Sequence, residues 1–194
     1  MEEFRSLLEL LALLIADPRI AILFVLLIIA AVSDWRSYRI PNWLTFGGMA
    51  FGLLYNAASP AFLHTGFLWA LGGLALGFVM MLPMYLLKTM GAGDVKLMAM
   101  IGAFLGAPDT FHAALSSFLV GGLAALAFAL FHRSLLRMLS NTASVVQAMA
   151  WSTLARTLPD ARIAASQSVG KLPYGVSIGI GTMGYLVARQ LGYV

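Results

Sequence analysis

The sequence predicts an all-α membrane protein, a polytopic bundle of about six transmembrane helices with its N-terminus outside. Of the 194 residues, 61% are hydrophobic and only 10% are charged, whereas soluble domains are typically ~45–50% apolar and ~25% charged. The apolar residues gather into long runs that charges, prolines or polar turns separate. A core of this size cannot hide so much apolar surface from water, so lipid is the expected solvent.

Each long apolar run is a candidate membrane helix. The six runs have the approximate bounds 20–33, 43–58, 62–87, 95–107, 111–132 and 172–192. A further run, from Leu7 to Ala16, is too short to cross alone. We expect it to be an interfacial lead-in to the first helix, and a seventh span is the alternative.

Residues 133–171 form the one long polar connection and mix Ser, Thr, Gln and Arg with regularly recurring apolar side chains. This pattern predicts an amphipathic segment on the cytoplasmic surface, with a partly disordered linker as the alternative. We expect residues 1–194 to form a single membrane-embedded domain that contains this segment.

The basic residues predict the orientation. With the N-terminus outside, nine of the twelve Lys and Arg residues face the cytoplasm, as the positive-inside rule requires. Only Arg5, Arg19 and Arg189 remain outside. The basic residues stand singly between apolar runs, so they indicate topology and no nucleic acid partner.

Composition also narrows the chemistry. The chain has no Cys, which excludes disulfides, Cys-ligated zinc and a cysteine nucleophile. The three histidines, His64, His112 and His132, have no metal-ligand spacing. No nucleotide-binding glycine motif is complete. We therefore expect neither a metal nor a cofactor.

Four apolar runs contain glycines at four-residue spacing, which allows helix backbones to approach closely. These pairs predict a compact bundle and no chemistry. The pairs are Gly48 with Gly52, Gly73 with Gly77, Gly102 with Gly106, and Gly175 with Gly179.

Two acidic residues adjoin apolar runs: Asp34 closes the first, and Asp94 opens the fourth. The others beyond the N-terminal region, Asp17, Asp109 and Asp160, are expected in loops. The first and fourth runs are shorter than the ~20 residues that a span needs, so both helices should extend toward the cytoplasm. Asp34 and Asp94 would then lie below the surface at matching depth.

Two such carboxylates can hydrolyse an amide without a metal or a covalent intermediate, one as base and one as acid. Each also has a simpler interpretation. Asp34 could be a boundary residue before Arg36, and Asp94 could be an N-cap paired with Lys96. Gly91 and Gly93 favour a site, because irregular backbone at this depth needs a water-filled cavity or burial in protein.

Two motifs resemble a known family. The segment G-A-G-D, Gly91 to Asp94, is similar to the G-x-G-D signature of intramembrane aspartic proteases. The segment D-W-R-S-Y-R-I-P-N, Asp34 to Asn42, resembles the first-aspartate motif of prepilin peptidases. Lys96 and K-L-P-Y-G-V, Lys171 to Val176, resemble recurring features of the same family.

The resemblance implies a membrane aspartic endopeptidase that cleaves the leader of type IV pilin-like precursors at the cytoplasmic face of the bacterial inner membrane. Asp34 and Asp94 would be the catalytic pair. Its expected partners are the precursor and the lipid bilayer. The positions expected to bind substrate are Gly91, Ala92, Gly93, Lys96, Pro41 and Asn42.

Larger members of the family also methylate the new N-terminus and carry C-x-x-C motifs in a cytoplasmic loop. Without Cys, this chain is similar to the short, peptidase-only members of the family, which are associated with Flp or tight-adherence pili. Its departure from the family is the segment 133–171. Two other interpretations stay open: a small proton-coupled transporter with Asp34 and Asp94 as a relay, and a non-catalytic assembly factor on the peptidase scaffold.

Overall fold

The computed structural model describes residues 17–58, 66–87, 89–131 and 173–193, and the regular structure within these ranges is all helical. This confirms the all-α fold. The predicted lead-in at 7–16 and the predicted cytoplasmic segment at 133–171 lie outside the described residues. The helices are α1 Pro18–Ser37, α2 Asn42–Ala58, α3 Phe67–Leu86, α4 Ala92–Phe131 and α5 Tyr174–Gln190.

Three of these helices, α1, α3 and α4, are long and apolar enough to cross a membrane. The other two, α2 and α5, have 17 residues each, which is at the short end of the range for a span. Large apolar side chains are exposed on the outer faces, including Val25, Leu54, Leu68 and Leu119. Such a surface suits lipid and is unusual in water.

The long helix α4 contains a break at Gly106, whose φ of +72° lies in the left-handed region. Glycine adopts this conformation readily, and a Cβ at Gly106 would also collide with the Trp69 ring. Pro108, two residues after Gly106, lies in the first turn after the break. The break therefore divides α4 into two helical parts, 92–105 and 107–131.

The contacts of these two parts show that they run in opposite directions. In the first part, Met98 packs on Gly77 and Gly102 packs on Gly73, so this part is antiparallel to α3. In the second part, Asp109 contacts Tyr185 near the end of α5. Ser117 donates to the carbonyl of Ile178 near the start of α5. The second part is therefore antiparallel to α5 and returns toward the end of the bundle where α4 began.

Within the described ranges, six helical segments thus alternate in direction, in the order of the six predicted apolar runs. One end of the bundle gathers the ends of α1 and α3 and the starts of α2, α4 and α5. We call it the Asp34 end. The opposite end holds the start of α1, the end of α2 and the break in α4, and we call it the Arg19 end.

The first part of α4 is the centre of the bundle, because nearly every side chain between Asp94 and Leu105 is buried. A helix that is apolar on all sides is expected in such a position. Glycines allow its neighbours to approach: a Cβ on Gly73 would collide with the carbonyl oxygen of Gly102, and one on Gly77 with that of Met98. The close packing predicted from the glycine pairs is confirmed here.

Candidate functional site

Asp34 lies in the last turn of α1, and only 6% of its surface is exposed. The helix ends three residues later, at Ser37, because Tyr38 adopts the left-handed conformation, with φ of +51°. Tyr38 N–H still donates to the backbone carbonyl of Asp34 at 2.8 Å. Asp34 is therefore held by regular helix just before the chain turns into the loop toward α2.

The side chain of Asp34 reaches the start of α5. Its Oδ2 accepts a hydrogen bond of 2.8 Å from the backbone N–H of Gly175, and the N–H of Val176 is a further donor to the same carboxylate. The N-cap residue of α5, Pro173, makes no capping hydrogen bond with its own side chain. Asp34 therefore supplies from α1 the acceptor that a helix N-terminus requires.

Asp94 is the third residue of α4, and 7% of its surface is exposed. Its Oδ2 accepts a hydrogen bond of 3.0 Å from the N–H of Gly91, the residue before the helix. This is the reach-back contact of an acidic residue in the first turn. Both aspartates thus lie within one turn of a helix terminus, at the Asp34 end, and both are buried.

Ile40, from the loop between α1 and α2, connects the surroundings of the two carboxylates. A Cβ built on Gly93 would lie 3.3 Å from Ile40 Cβ, and one on Gly175 would lie 2.9 Å from Ile40 Cδ1. The Ile40 side chain therefore lies between the starts of α4 and α5. Asp34 and Tyr174 both lie within electrostatic range of Asp94.

Within the described part of the chain, neither aspartate forms an ion pair with a Lys or Arg side chain. Lys96 Nζ donates to Asn42 Oδ1 at 2.9 Å and lies 5.1 Å from the centre of the Phe46 ring. The interpretation of Asp94 as an N-cap paired with Lys96 is therefore wrong. Asp94 is the third residue of α4, and Lys96 binds Asn42. This contact between Asn42 and Lys96, both predicted to bind substrate, joins the starts of α2 and α4.

The irregular backbone expected before Asp94 is found at Gly91 and not at Gly93. The positive φ angles among the described glycines are at Gly66, Gly106 and Gly192. Since α4 begins at Ala92, Gly93 lies in the first helical turn, whereas Gly91 precedes the helix. Position 93 has little room for a side chain, because Ile40 packs against it.

The remaining predicted positions lie around this cluster. Ala92, the first residue of α4, is exposed. Pro41 precedes α2, and its carbonyl accepts the N–H of Thr45. All six positions predicted to bind substrate are thus gathered at the Asp34 end, at the starts of α2 and α4.

Sequence reasoning missed three residues at the site: Ile40, Tyr174 and Gly175. Gly175 was predicted only to pack helices, yet its N–H binds Asp34. The signal for it was present, since Tyr174 and Gly175 belong to the K-L-P-Y-G-V segment that supported the resemblance. Ile40 lies inside the first-aspartate motif, but its side chain has no acid–base or ligand group that would mark it as a site residue.

The described residues contain no group of three His, Cys, Asp or Glu side chains able to hold a metal ion, so we assign no metal site to them. The Asp34 end offers two buried carboxyl groups that lie within electrostatic range of each other.

Comparison with known proteins gives one match. A family model described as the type IV leader peptidase family matches residues 21–126, just over half of the chain. The matched range contains both aspartates and ends inside the second part of α4. No curated protein and no solved structure gave a match.

Proposed function

Because the chain belongs to the type IV leader peptidase family, we propose that it is a membrane aspartic endopeptidase that removes the leader of Flp-type, type IV pilin-like precursors. The observation that carries the proposal is the pair Asp34 and Asp94. Both are buried at one end of the bundle, their charges interact, and backbone N–H groups hold them.

Such a pair can activate water. Two carboxyl groups at short range do not both ionise, so they share one proton. The ionised group takes a proton from water as the water oxygen bonds to the amide carbon. The protonated group donates to the carbonyl oxygen, which gives a tetrahedral intermediate. As the C–N bond breaks, the group that took the proton from water passes it to the leaving nitrogen, and a hydroxyl proton of the intermediate returns to the other carboxylate.

The surroundings of the pair support a site at the membrane surface. Trp35, Tyr38 and Trp43 are 70%, 53% and 68% exposed around the Asp34 end, and aromatic belts mark membrane–water interfaces. Arg36 and Arg39 are exposed at the same end. We propose that this end faces the cytoplasm and that the chain crosses the inner membrane six times, with its N-terminus outside.

A pilin-like precursor joins a basic leader to a hydrophobic helix, so its scissile bond lies at this surface. A helical substrate hides its carbonyls in hydrogen bonds, so the cleaved segment must be extended in the site. We propose that the starts of α2 and α4 receive it, with Pro41, Asn42 and Lys96 on one side. Gly91, Ala92 and Gly93 would lie on the other side, beside Asp94.

The test is cleavage by the purified protein. The protein in detergent or lipid is incubated with an Flp-type precursor, and the products are identified by mass spectrometry. We expect one cut between leader and hydrophobic helix. In the presence of S-adenosylmethionine the new N-terminus should stay unmethylated, as in a peptidase-only enzyme. Intact precursor with correctly folded protein would overturn the proposal and favour a non-catalytic assembly factor.

The orientation has a separate test. The natural sequence contains no Cys, so single cysteines report accessibility without background. Ser37→Cys marks the Asp34 end, and Tyr193→Cys marks the other end, where Tyr193 is 80% exposed. In intact spheroplasts a membrane-impermeant maleimide should label only the second variant. Labelling of the first variant alone would reverse the proposed orientation.

A further inference from the structure

We propose that Gly175 is a positioning residue of the peptidase, and that α5 completes the site by fixing the Asp34 carboxylate in its working position. This inference rests on the proposed function. The helix α5 begins 48 residues after the family match ends at residue 126, so the match gives no role to it.

The first argument is the hydrogen bond itself. Gly175 N–H donates to Asp34 Oδ2 at 2.8 Å across 141 residues of sequence, and the contact is buried. Asp34 lies in the last turn of α1, beside the left-handed Tyr38, where a helix end frays readily. Without the Gly175 contact, the aspartate would be free to change rotamer.

The second argument is space. A Cβ on Gly175 would lie 2.9 Å from Asp34 Oδ2 and 3.1 Å from Asp34 Cβ. Both distances are too short for an unchanged carboxylate. Any side chain at position 175 must therefore displace Asp34 or the start of α5. Only glycine combines the N–H donor with this close approach.

Gly179 supplies the matched control. It lies one turn further along α5, and a Cβ there would have its nearest neighbours at 3.6 Å, which is ordinary van der Waals contact. Gly→Ala at either position is a change inside the same helix, and neither position has a positive φ. The two variants therefore differ in what the new methyl group meets.

The experiment compares the kinetics of precursor cleavage by Gly175→Ala, Gly179→Ala and the natural protein, at equal amounts of folded protein. We expect Gly175→Ala to lower kcat on the order of 10- to 100-fold, since small displacements of catalytic groups cost this much. KM should stay within about twofold, because substrate binding is not the role assigned. Gly179→Ala should resemble the natural protein.

Equal kcat values for the two variants would overturn the proposal, and so would a loss in Gly175→Ala that appears only in KM. If Gly175→Ala does not fold, Ile40→Ala is combined with it, because Ile40 Cδ1 is the other group within 2.9 Å. The double variant should then cleave more slowly than Ile40→Ala alone. The proposal is overturned if the double variant and Ile40→Ala cleave at equal rates, or if the double variant still does not fold. Gly175 would then have a packing role only.

Cleavage by Asp34→Asn tests the two-aspartate mechanism separately. If Asp34→Asn retains cleavage, that mechanism fails whatever Gly175→Ala does. If Asp34→Asn is inactive and Gly175→Ala is normal, only the positioning role fails.

Discussion

The two ends of the bundle each hold a pair of aspartates, in opposite electrostatic settings. At the Arg19 end, Asp17 forms an ion pair with Arg19, and Asp109 forms one with Arg189. Asp109 also accepts a hydrogen bond of 2.8 Å from the Tyr185 hydroxyl. At the Asp34 end, Asp34 and Asp94 accept from backbone N–H groups and have no basic partner within the described ranges.

This difference separates structural from chemical use of the same side chain. An arginine paired with a carboxylate occupies its oxygens in a charge-assisted contact that holds the two side chains together. A carboxylate that only backbone donors hold can still exchange a proton with water or with a neighbouring carboxyl group. The Arg19 end is therefore suited to join helices, and the Asp34 end to do acid–base chemistry. Four predictions test this contrast.

The largest effect is expected from removing either ionisable group at the Asp34 end. Asp34→Asn and Asp94→Asn keep the side-chain shape and a hydrogen-bond acceptor. Each should lower the cleavage rate by at least about 1,000-fold, since each removes one half of the acid–base pair. Mass spectrometry of precursor cleavage measures this, with melting in detergent as a check on folding. A variant that is folded and still cleaves would remove that residue from the mechanism.

A smaller loss is expected from filling the space beside Asp94. In Gly93→Val the branched side chain meets Ile40, which a Cβ alone would already approach to 3.3 Å. We expect cleavage to fall about 10-fold, because Ile40 is pushed toward Gly175 and the substrate path narrows.

The matched control for Gly93→Val is Gly47→Val, since Gly47 is also helical and a Cβ there has no neighbour within 4 Å. Gly48 is unsuitable because it packs against Met100. Equal cleavage rates for Gly93→Val and Gly47→Val would show that the space beside Asp94 is not used by substrate.

The third prediction concerns the contact between Lys96 and Asn42. Lys96→Met removes both this hydrogen bond and the positive charge, and we expect a loss of about threefold to tenfold in kcat/KM. Asn42→Leu removes the hydrogen bond but keeps the charge. If Lys96 touches the substrate, Lys96→Met should be the more damaging variant. Identical losses would limit Lys96 to joining α2 and α4.

The smallest effect on cleavage is expected at the Arg19 end. Asp109→Asn breaks the pair with Arg189 and weakens the contact with Tyr185, so stability should fall by about 1 kcal/mol. The cleavage rate at equal folded protein should stay within about twofold. Thermal melting and the precursor assay measure the two quantities. A strong loss of cleavage without a loss of stability would contradict the division between the two ends.

Asp109 also shows where sequence reasoning reached its limit. It is expected in a loop because it lies between the apolar runs 95–107 and 111–132. In the structure it lies within α4, just after the break at Gly106, and it is paired on two sides. Its partners are 76 and 80 residues away, and no local pattern reports such a distance.

The sequence was enough to predict the all-α fold and the order of the helical segments, and it also suggested the two aspartates that we propose as the catalytic pair. These follow from local properties: apolar runs of membrane length, the breaks between them, and acidic residues too costly to place near lipid without a purpose. Tertiary structure alone decided which groups surround those aspartates. Gly175 from α5 and Ile40 from the α1–α2 loop meet at Asp34 because the bundle brings distant helix ends together. A glycine and an isoleucine reveal no such role in sequence, since their contribution is a backbone N–H and an occupied space.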